Sequence, residues 1–183
     1  MIYFRVSKYN PIYRNEKGYY LKEEWTDFSD IGKEFLGKKL TFEEYVEQEK
    51  AYIVTVLEIA NLLEIEHFYL SGVEIYYSDD DKESGELFDF FRKYQNFQIE
   101  TGKIIEMSLL EEIVSLILRN NFWARIVSER MEVHFGYDYY MYIGVSEKLD
   151  DAKSIPEKHG LFIENRTSPY IESEDDDEYD SDD

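Results

Sequence analysis

The sequence predicts an α+β fold: one mixed, largely antiparallel sheet, with helices mainly on one face and an antiparallel meander towards the C-terminus. Two observations lead to this prediction. From Phe122 to Val145, apolar and polar residues alternate with a period of two through three short runs separated by turns. Before this meander, longer segments repeat apolar residues at helical spacing behind capping motifs. We expect a single domain over residues 1–170, followed by a disordered acidic tail over residues 171–183.

The N-terminal part is predicted to be a strand followed by a long ordered loop. Apolar residues alternate in IYFRVS, which predicts a half-buried strand over residues 2–7. The next thirty or so residues are rich in turn formers and aromatic side chains. Within this loop we expect a short helix near Ser29 to Phe35. Four side chains can anchor the loop to the core: Trp25, Phe28, Ile31 and Phe35.

Two capping boxes mark the predicted starts of the principal helices. In the segment from Thr41 to Glu44, the threonine hydroxyl can accept one free amide and the glutamate can accept another. The apolar stripe that follows predicts a central, well-buried helix. The segment from Ser108 to Glu111 has the same pattern and predicts the start of a second helix.

The remaining elements follow from shorter patterns. Residues 67–77 predict a strand, and residues 85–97 predict a helix with one apolar stripe. Pro156 suits the first turn of a short helix, which Gly160 would end. The apolar residues after that glycine predict one more strand.

The two faces of the meander differ in character. One face carries seven residues predicted to belong to the core: Met131, Val133, Phe135, Tyr139, Met141, Ile143 and Val145. The other face carries Glu132 and His134 on one strand and Tyr140 and Tyr142 on the next, with Asp138 at the turn between them. If helices cover only one side of the sheet, these residues form an open surface that is both aromatic and acidic.

Three interpretations of this surface are open. It could be a cross-strand ladder that stabilises a solvated sheet face. It could be a contact surface for a partner, because tyrosine offers a large rigid area and one hydroxyl. It could also hold a catalytic pair of His134 and Asp138. That pair lacks a nucleophile, since the chain has no cysteine and no serine within a GxSxG motif.

No motif for a metal or a cofactor is present. Asp79, Asp80 and Asp81 form an acidic run, but the spacing of an EF-hand fails at its sixth and twelfth positions. The three histidines share no zinc-binding spacing, and no glycine-rich phosphate loop occurs. We therefore predict no metal and no cofactor. The acidic run is expected to be a solvated loop that contributes to a partner-binding surface.

The charge predicts the kind of partner. The formal net charge is −21, and the last twelve residues contain nine acids and no base. Such a surface repels nucleic acid and attracts cationic proteins, although many acidic proteins are merely soluble. The sequence predicts no secretion signal and no membrane span, and it contains no cysteine, which together favour the cytoplasm. A homo-oligomer is compatible with these features.

Three segments carry a resemblance: FRVSKYNP, EWTDFSDIG and HFGYDYYMYIG. Together they resemble a set of uncharacterised stand-alone bacterial proteins, whose general build is similar to that of small acidic immunity proteins of polymorphic toxin systems. The resemblance spans about residues 1–170 and implies a non-enzymatic, cytoplasmic protein that masks a toxin's active site or substrate surface. It assigns no functional residue.

The function predicted from these observations is that of a non-enzymatic acidic protein that neutralises a cationic partner, such as a toxin nuclease. One alternative is a phage-type inhibitor that mimics DNA and blocks a nucleic-acid-binding defence protein. Another is a small hydrolase or transferase that uses His134 with Asp138, or a metal held by residues 79–81.

Overall fold

The computed structural model describes residues 1–75, 89–90, 93–94 and 97–171. Within these ranges the helices are α1 (Phe42–Leu62), α2 (Met107–Leu118) and α3 (Leu149–Lys158). The strands are β1 (Ile2–Ser7), β2 (Glu34–Phe35), β3 (Lys38–Lys39), β4 (His67–Ile75), β5 (Ile104–Glu106), β6 (Phe122–Val127), β7 (Met131–Phe135), β8 (Met141–Val145) and β9 (Phe162–Glu164). The acidic run at residues 79–81, most of the helix predicted over 85–97 and the tail after residue 171 lie outside the described residues.

Seven of these strands form one sheet in the order β5-β4-β6-β7-β8-β1-β9, and every pairing in it is antiparallel. The α+β class and the β6-β7-β8 meander are confirmed. One face of the sheet packs against the helices and forms the core, which includes all seven predicted meander residues. The alternation of apolar residues placed them correctly because successive strand residues point to opposite faces.

Capping explains the start of α1 but not that of α2. The Thr41 hydroxyl accepts the Glu44 amide at 3.2 Å, and the Glu44 carboxylate accepts the Thr41 amide at 3.3 Å. The predicted capping box at Ser108 is wrong. Strand β5 ends at Glu106 and the chain enters α2 directly at Met107, one residue before the serine, so no side chain caps this helix.

Two further predictions about local structure are wrong. Where a helix near Ser29 to Phe35 was predicted, the chain forms one turn of 3₁₀ helix at Phe28–Asp30, and β2 and β3 then form a small hairpin. Leu36 and Gly37 have φ of 51° and 79°, which suits the two-residue loop of a hairpin. Pro156 lies in the last turn of α3, because that helix already begins at Leu149; its missing N–H removes one i→i−4 hydrogen bond close to the end of the helix.

The second face of the sheet is covered in part. After β9 the chain continues as a strap, residues 165–171, that crosses this face. The Ser168 hydroxyl lies 2.6 Å from Nδ1 of His134, and the Tyr170 carbonyl accepts a hydrogen bond of 3.2 Å from Arg125. His134 is fully buried and Tyr142 is 8% exposed. The expectation that these two residues line an open surface is therefore wrong, because the strap covers them.

Candidate functional site

The turn between β7 and β8 has an unusual backbone. Asp138 and Tyr139 have φ of 57° and 61°, in the left-handed region that residues other than glycine seldom adopt. Aspartate tolerates this region, but a bulky tyrosine does so only where its surroundings impose it. The turn leaves Tyr137 87% exposed, whereas Tyr139 is buried. The strained backbone thus holds one tyrosine in the core and presents its neighbours to solvent.

Buried tyrosines hold this turn in place. The Tyr139 hydroxyl donates to the Tyr45 hydroxyl at 3.0 Å, and the Tyr139 carbonyl accepts from the Tyr52 hydroxyl at 2.9 Å. The Tyr139 ring also packs edge-on against Trp25, with the ring centroids 4.9 Å apart. Burial raises the pKa of all three phenols, so each stays protonated and able to donate at physiological pH.

The same network reaches a buried ion pair between α1 and α2. The Tyr45 hydroxyl donates to the Leu118 carbonyl at 3.1 Å, and the same hydroxyl lies 3.3 Å from the Glu49 carboxylate. Glu49 is 3% exposed and accepts two hydrogen bonds, of 2.7 and 2.6 Å, from the Arg119 guanidinium. The strained turn is therefore fixed by contacts that extend to the helices.

Beside the turn lies a cleft of about 590 Å³, which we call the acidic-aromatic cleft. Seven aromatic side chains line it: Phe122, Trp123, Phe135, Tyr137, Tyr139, Tyr140 and Tyr170. Its carboxylates come from Asp27, Glu74 and Asp138. Among the described residues, no lysine, arginine or histidine lines it. The cleft therefore combines negative charge with aromatic surface.

Two of the three carboxylates are available to a ligand. Glu74 and Asp138 are exposed, and neither makes a side-chain hydrogen bond or ion pair with any residue in the described ranges. Asp27 is already engaged, because it accepts the Ser29 amide at 2.8 Å and contacts the amide group of Asn120. The cleft thus has negative charge that the rest of the described chain does not neutralise.

Tyr140 lies between this cleft and a cluster of cations. The guanidinium carbon of Arg5 is 4.3 Å from the centre of the Tyr140 ring, and that of Arg14 is 5.5 Å from it. Arg14 also donates to the Tyr140 hydroxyl at 3.0 Å. Both arginines pair with the Glu164 carboxylate, at 2.7 and 3.0 Å. The chain therefore already contains one site where a tyrosine ring and a carboxylate bind guanidinium groups.

His134 does not form a hydrogen bond with Asp138. Its Nδ1 faces the Ser168 hydroxyl, and its Nε2 lies 3.2 Å from the Glu132 carboxylate, which also accepts a hydrogen bond from Tyr3. The hydrogen bond from His134 lowers the pKa of Glu132. The acidic-aromatic cleft does not have His134 or Ser168 in its lining. The structure therefore does not pair His134 with Asp138, which was one of the three alternatives for this surface, and the histidine ties the strap to the sheet.

Lys8 provides a test of the packing next to the turn. Its ammonium group lies 3.2 Å from the Glu24 carboxylate and 4.3 Å from the centre of the Trp25 ring, and its side chain is 4% exposed. Burial lowers the pKa of Lys8 to about 8, and Glu24 opposes only part of that shift. In the unfolded chain a lysine titrates near about 10.4. Between these values the unfolded chain binds more protons, so stability increases with pH.

We therefore expect the free energy of unfolding of the wild type to rise relative to that of Lys8→Met by about 2 kcal/mol between about pH 7.5 and 9.5. Urea denaturation of both proteins across this range measures the difference. Because other groups titrate equally in both proteins, their contributions cancel. If the free energies of unfolding of the two proteins changed in parallel with pH, the lowered pKa of Lys8 would be contradicted.

The structure brings two of the predicted site residues together. Asp138 and Tyr140 both line the cleft. Glu132, His134 and Tyr142 lie behind it on the face that the strap covers, and residues 79–81 lie outside the described ranges. Sequence reasoning did not assign the other lining residues to the site, among them Asp27, Glu74, Trp123, Tyr137 and Tyr170. Of these residues, only Tyr137 could have been identified from the sequence, because it belongs to the tyrosine-rich turn between β7 and β8.

Comparison of the chain with protein-family models, curated proteins and solved structures finds no match. The resemblance to immunity proteins accordingly stays a prediction. No helix within the described ranges is long and apolar enough to cross a membrane. Across the same ranges, no group of three or more histidine, aspartate or glutamate side chains could hold a metal ion.

Proposed function

We propose that the chain is a non-enzymatic binding protein that neutralises a cationic partner protein, as the immunity protein of a toxin nuclease does, and that the acidic-aromatic cleft is its contact surface. The observation that carries this proposal is the lining of the cleft. Exposed carboxylates of Glu74 and Asp138 stand beside aromatic rings, and no cation of the described chain lines the cleft.

The charge of the whole chain supports the same partner. A nuclease is positively charged where it binds its polyanionic substrate, and an inhibitor has to compete with that substrate. A net charge of −21 accelerates the approach of such a partner, and fixed carboxylates favour the correct orientation. The tail with nine acids follows directly in sequence after the strap, whose Tyr170 lines the cleft.

The anchored turn supports a binding role as well. Aromatic residues in a well-packed setting are typical of the few residues that dominate the energy of an interface. Because Tyr139 is held by Tyr45 and Tyr52, little backbone entropy remains to be lost when a partner binds the turn. Strained backbone that the surrounding structure over-determines is also frequent at functional sites.

We propose no catalytic role for His134. Both of its ring nitrogens have partners, in Ser168 and Glu132, and its side chain is fully buried. A general base must be able to reach a substrate proton, either directly or through one water. The geometry of His134 favours a structural role over a hydrolase.

The proposal is tested by isolating the partner. The tagged protein, used as bait in extracts of its own cells, is expected to capture a basic protein whose affinity falls between low and physiological ionic strength. Titration calorimetry at the two ionic strengths measures this change. A captured partner without excess positive charge, or an affinity that salt does not change, would contradict the proposal. A nucleic-acid-binding defence protein as partner would instead support DNA mimicry.

A further inference from the structure

We infer that the acidic-aromatic cleft binds an arginine side chain of the partner, in preference to a lysine. This inference rests on the proposed function, because it names the chemical group that the cleft receives. It draws on three features of the described chain: the lining of the cleft, the exposure of its rings, and the way the chain binds its own arginines.

The chain's own arginines show how it binds a guanidinium group. Arg5 lies over the Tyr140 ring at 4.3 Å while its side chain pairs with Glu164 at 2.7 Å. Arg14 contacts the same ring and the same carboxylate. Each guanidinium thus has an aromatic ring and a carboxylate as partners. A planar guanidinium can use both at once, because it donates within its plane and stacks with its face.

The cleft repeats this combination with no cation in place. Tyr137 is 87% exposed, and the partly buried rings of Trp123 and Tyr170 pack together with their centroids 5.5 Å apart. Glu74 and Asp138 supply carboxylates that have no partner in the described part of the chain. Tyr140 joins the two sites, since it lines the cleft and contacts Arg5 and Arg14.

Arginine fits this lining better than lysine does. A lysine ammonium is compact and strongly hydrated, so it loses more on leaving water and cannot stack. A guanidinium is weakly hydrated, and it is also the more frequent cation on aromatic faces. Arginine is enriched in protein interfaces, whereas lysine is depleted there.

The test uses three blocked pentapeptides that differ only in a central residue between glycines: arginine, lysine, or citrulline, which is the neutral isostere of arginine. Each is titrated into the full-length ¹⁵N-labelled protein. The reporter is the indole N–H of Trp123, which lines the cleft and donates to the Phe135 carbonyl at 2.7 Å. Its resonance is assigned by its loss in Trp123→Phe.

We expect the arginine peptide to bind at least about tenfold more tightly than the lysine peptide, and the citrulline peptide to cause no shift. Equal binding of the arginine and lysine peptides would overturn this inference and leave the proposed function standing. Equal binding of all three would overturn both, because charge would then contribute nothing. No shift with any peptide would overturn the inference alone, since capture of the intact partner tests the proposed function separately.

Two variants locate the binding. Asp138→Asn keeps a residue that tolerates the left-handed region while it removes the charge, and Tyr137→Leu removes an exposed ring. Each variant is expected to lower the affinity for the arginine peptide by about threefold or more. The matched control is Tyr19→Leu, which removes a ring that is 66% exposed and does not line the cleft. An equal loss in the control would overturn the inference.

Discussion

Replacing Glu49 with alanine is expected to lower the free energy of unfolding by about 3 kcal/mol or more. Glu49 is 3% exposed and accepts two charge-assisted hydrogen bonds from Arg119. Its removal takes away the buried carboxylate that accepts these two hydrogen bonds, and it enlarges a cleft between the two helices. Losing one partner of a buried pair costs more than the pair contributes, because the remaining charge stays partly desolvated.

Urea denaturation followed by far-ultraviolet circular dichroism measures this effect. The matched control is Glu47→Ala, which removes an exposed glutamate from the same helix and should change stability by less than about 0.5 kcal/mol. Replacing both Glu49 and Arg119 with methionine should recover much of the loss, because no charge then remains buried. Equal effects of Glu49→Ala and Glu47→Ala would contradict the described network.

The second large effect concerns the partner. The double variant Glu74→Lys/Asp138→Asn is expected to weaken binding of the captured partner by at least about 100-fold. A lysine at position 74 places a cation in a cleft that is proposed to receive one, and like charges brought together in an interface cost several kcal/mol. Asparagine at position 138 keeps the left-handed backbone accessible, so the turn should hold its conformation.

A control of equal charge separates the cleft from the overall field. Glu157→Lys/Asp150→Asn changes two exposed residues of α3, and both double variants shift the net charge from −21 to −18. The control should slow association modestly without a large change in dissociation. Calorimetry and stopped-flow mixing measure both quantities, and circular dichroism checks the fold. Equal losses of affinity in the two variants would show that the overall charge, and not the cleft, determines binding.

Much of the fold follows from local patterns in the sequence. The period-two alternation placed Met141, Ile143 and Val145 on the core face, because a strand that is buried on one side has no other arrangement for them. The capping box at Thr41 marked the start of α1, because its two hydrogen bonds involve only residues four positions apart or fewer. Both signals depend only on residues that are close together in the sequence, so the sequence alone is enough to identify them.

The site depended on contacts that no local pattern encodes. Ser168 meets His134 across 34 positions, so nothing near the histidine shows that its face is covered. The cleft likewise joins Asp27, Glu74 and Tyr170 with the turn at residues 136–140. The left-handed conformation of Tyr139 arises from Tyr45 and Tyr52, which lie on α1. Their burial was predictable, but their partners were not.

Hydrogen exchange of the protein with and without its captured partner tests the central claim most directly. If the cleft receives the partner, binding should slow exchange of the backbone amides that surround it, over residues 120–123, 136–140 and 170, and should leave α3 unchanged. Protection confined to the outer surface of α3, with these amides exchanging at the rate of the free protein, would contradict the claim that the cleft is where the cationic partner binds.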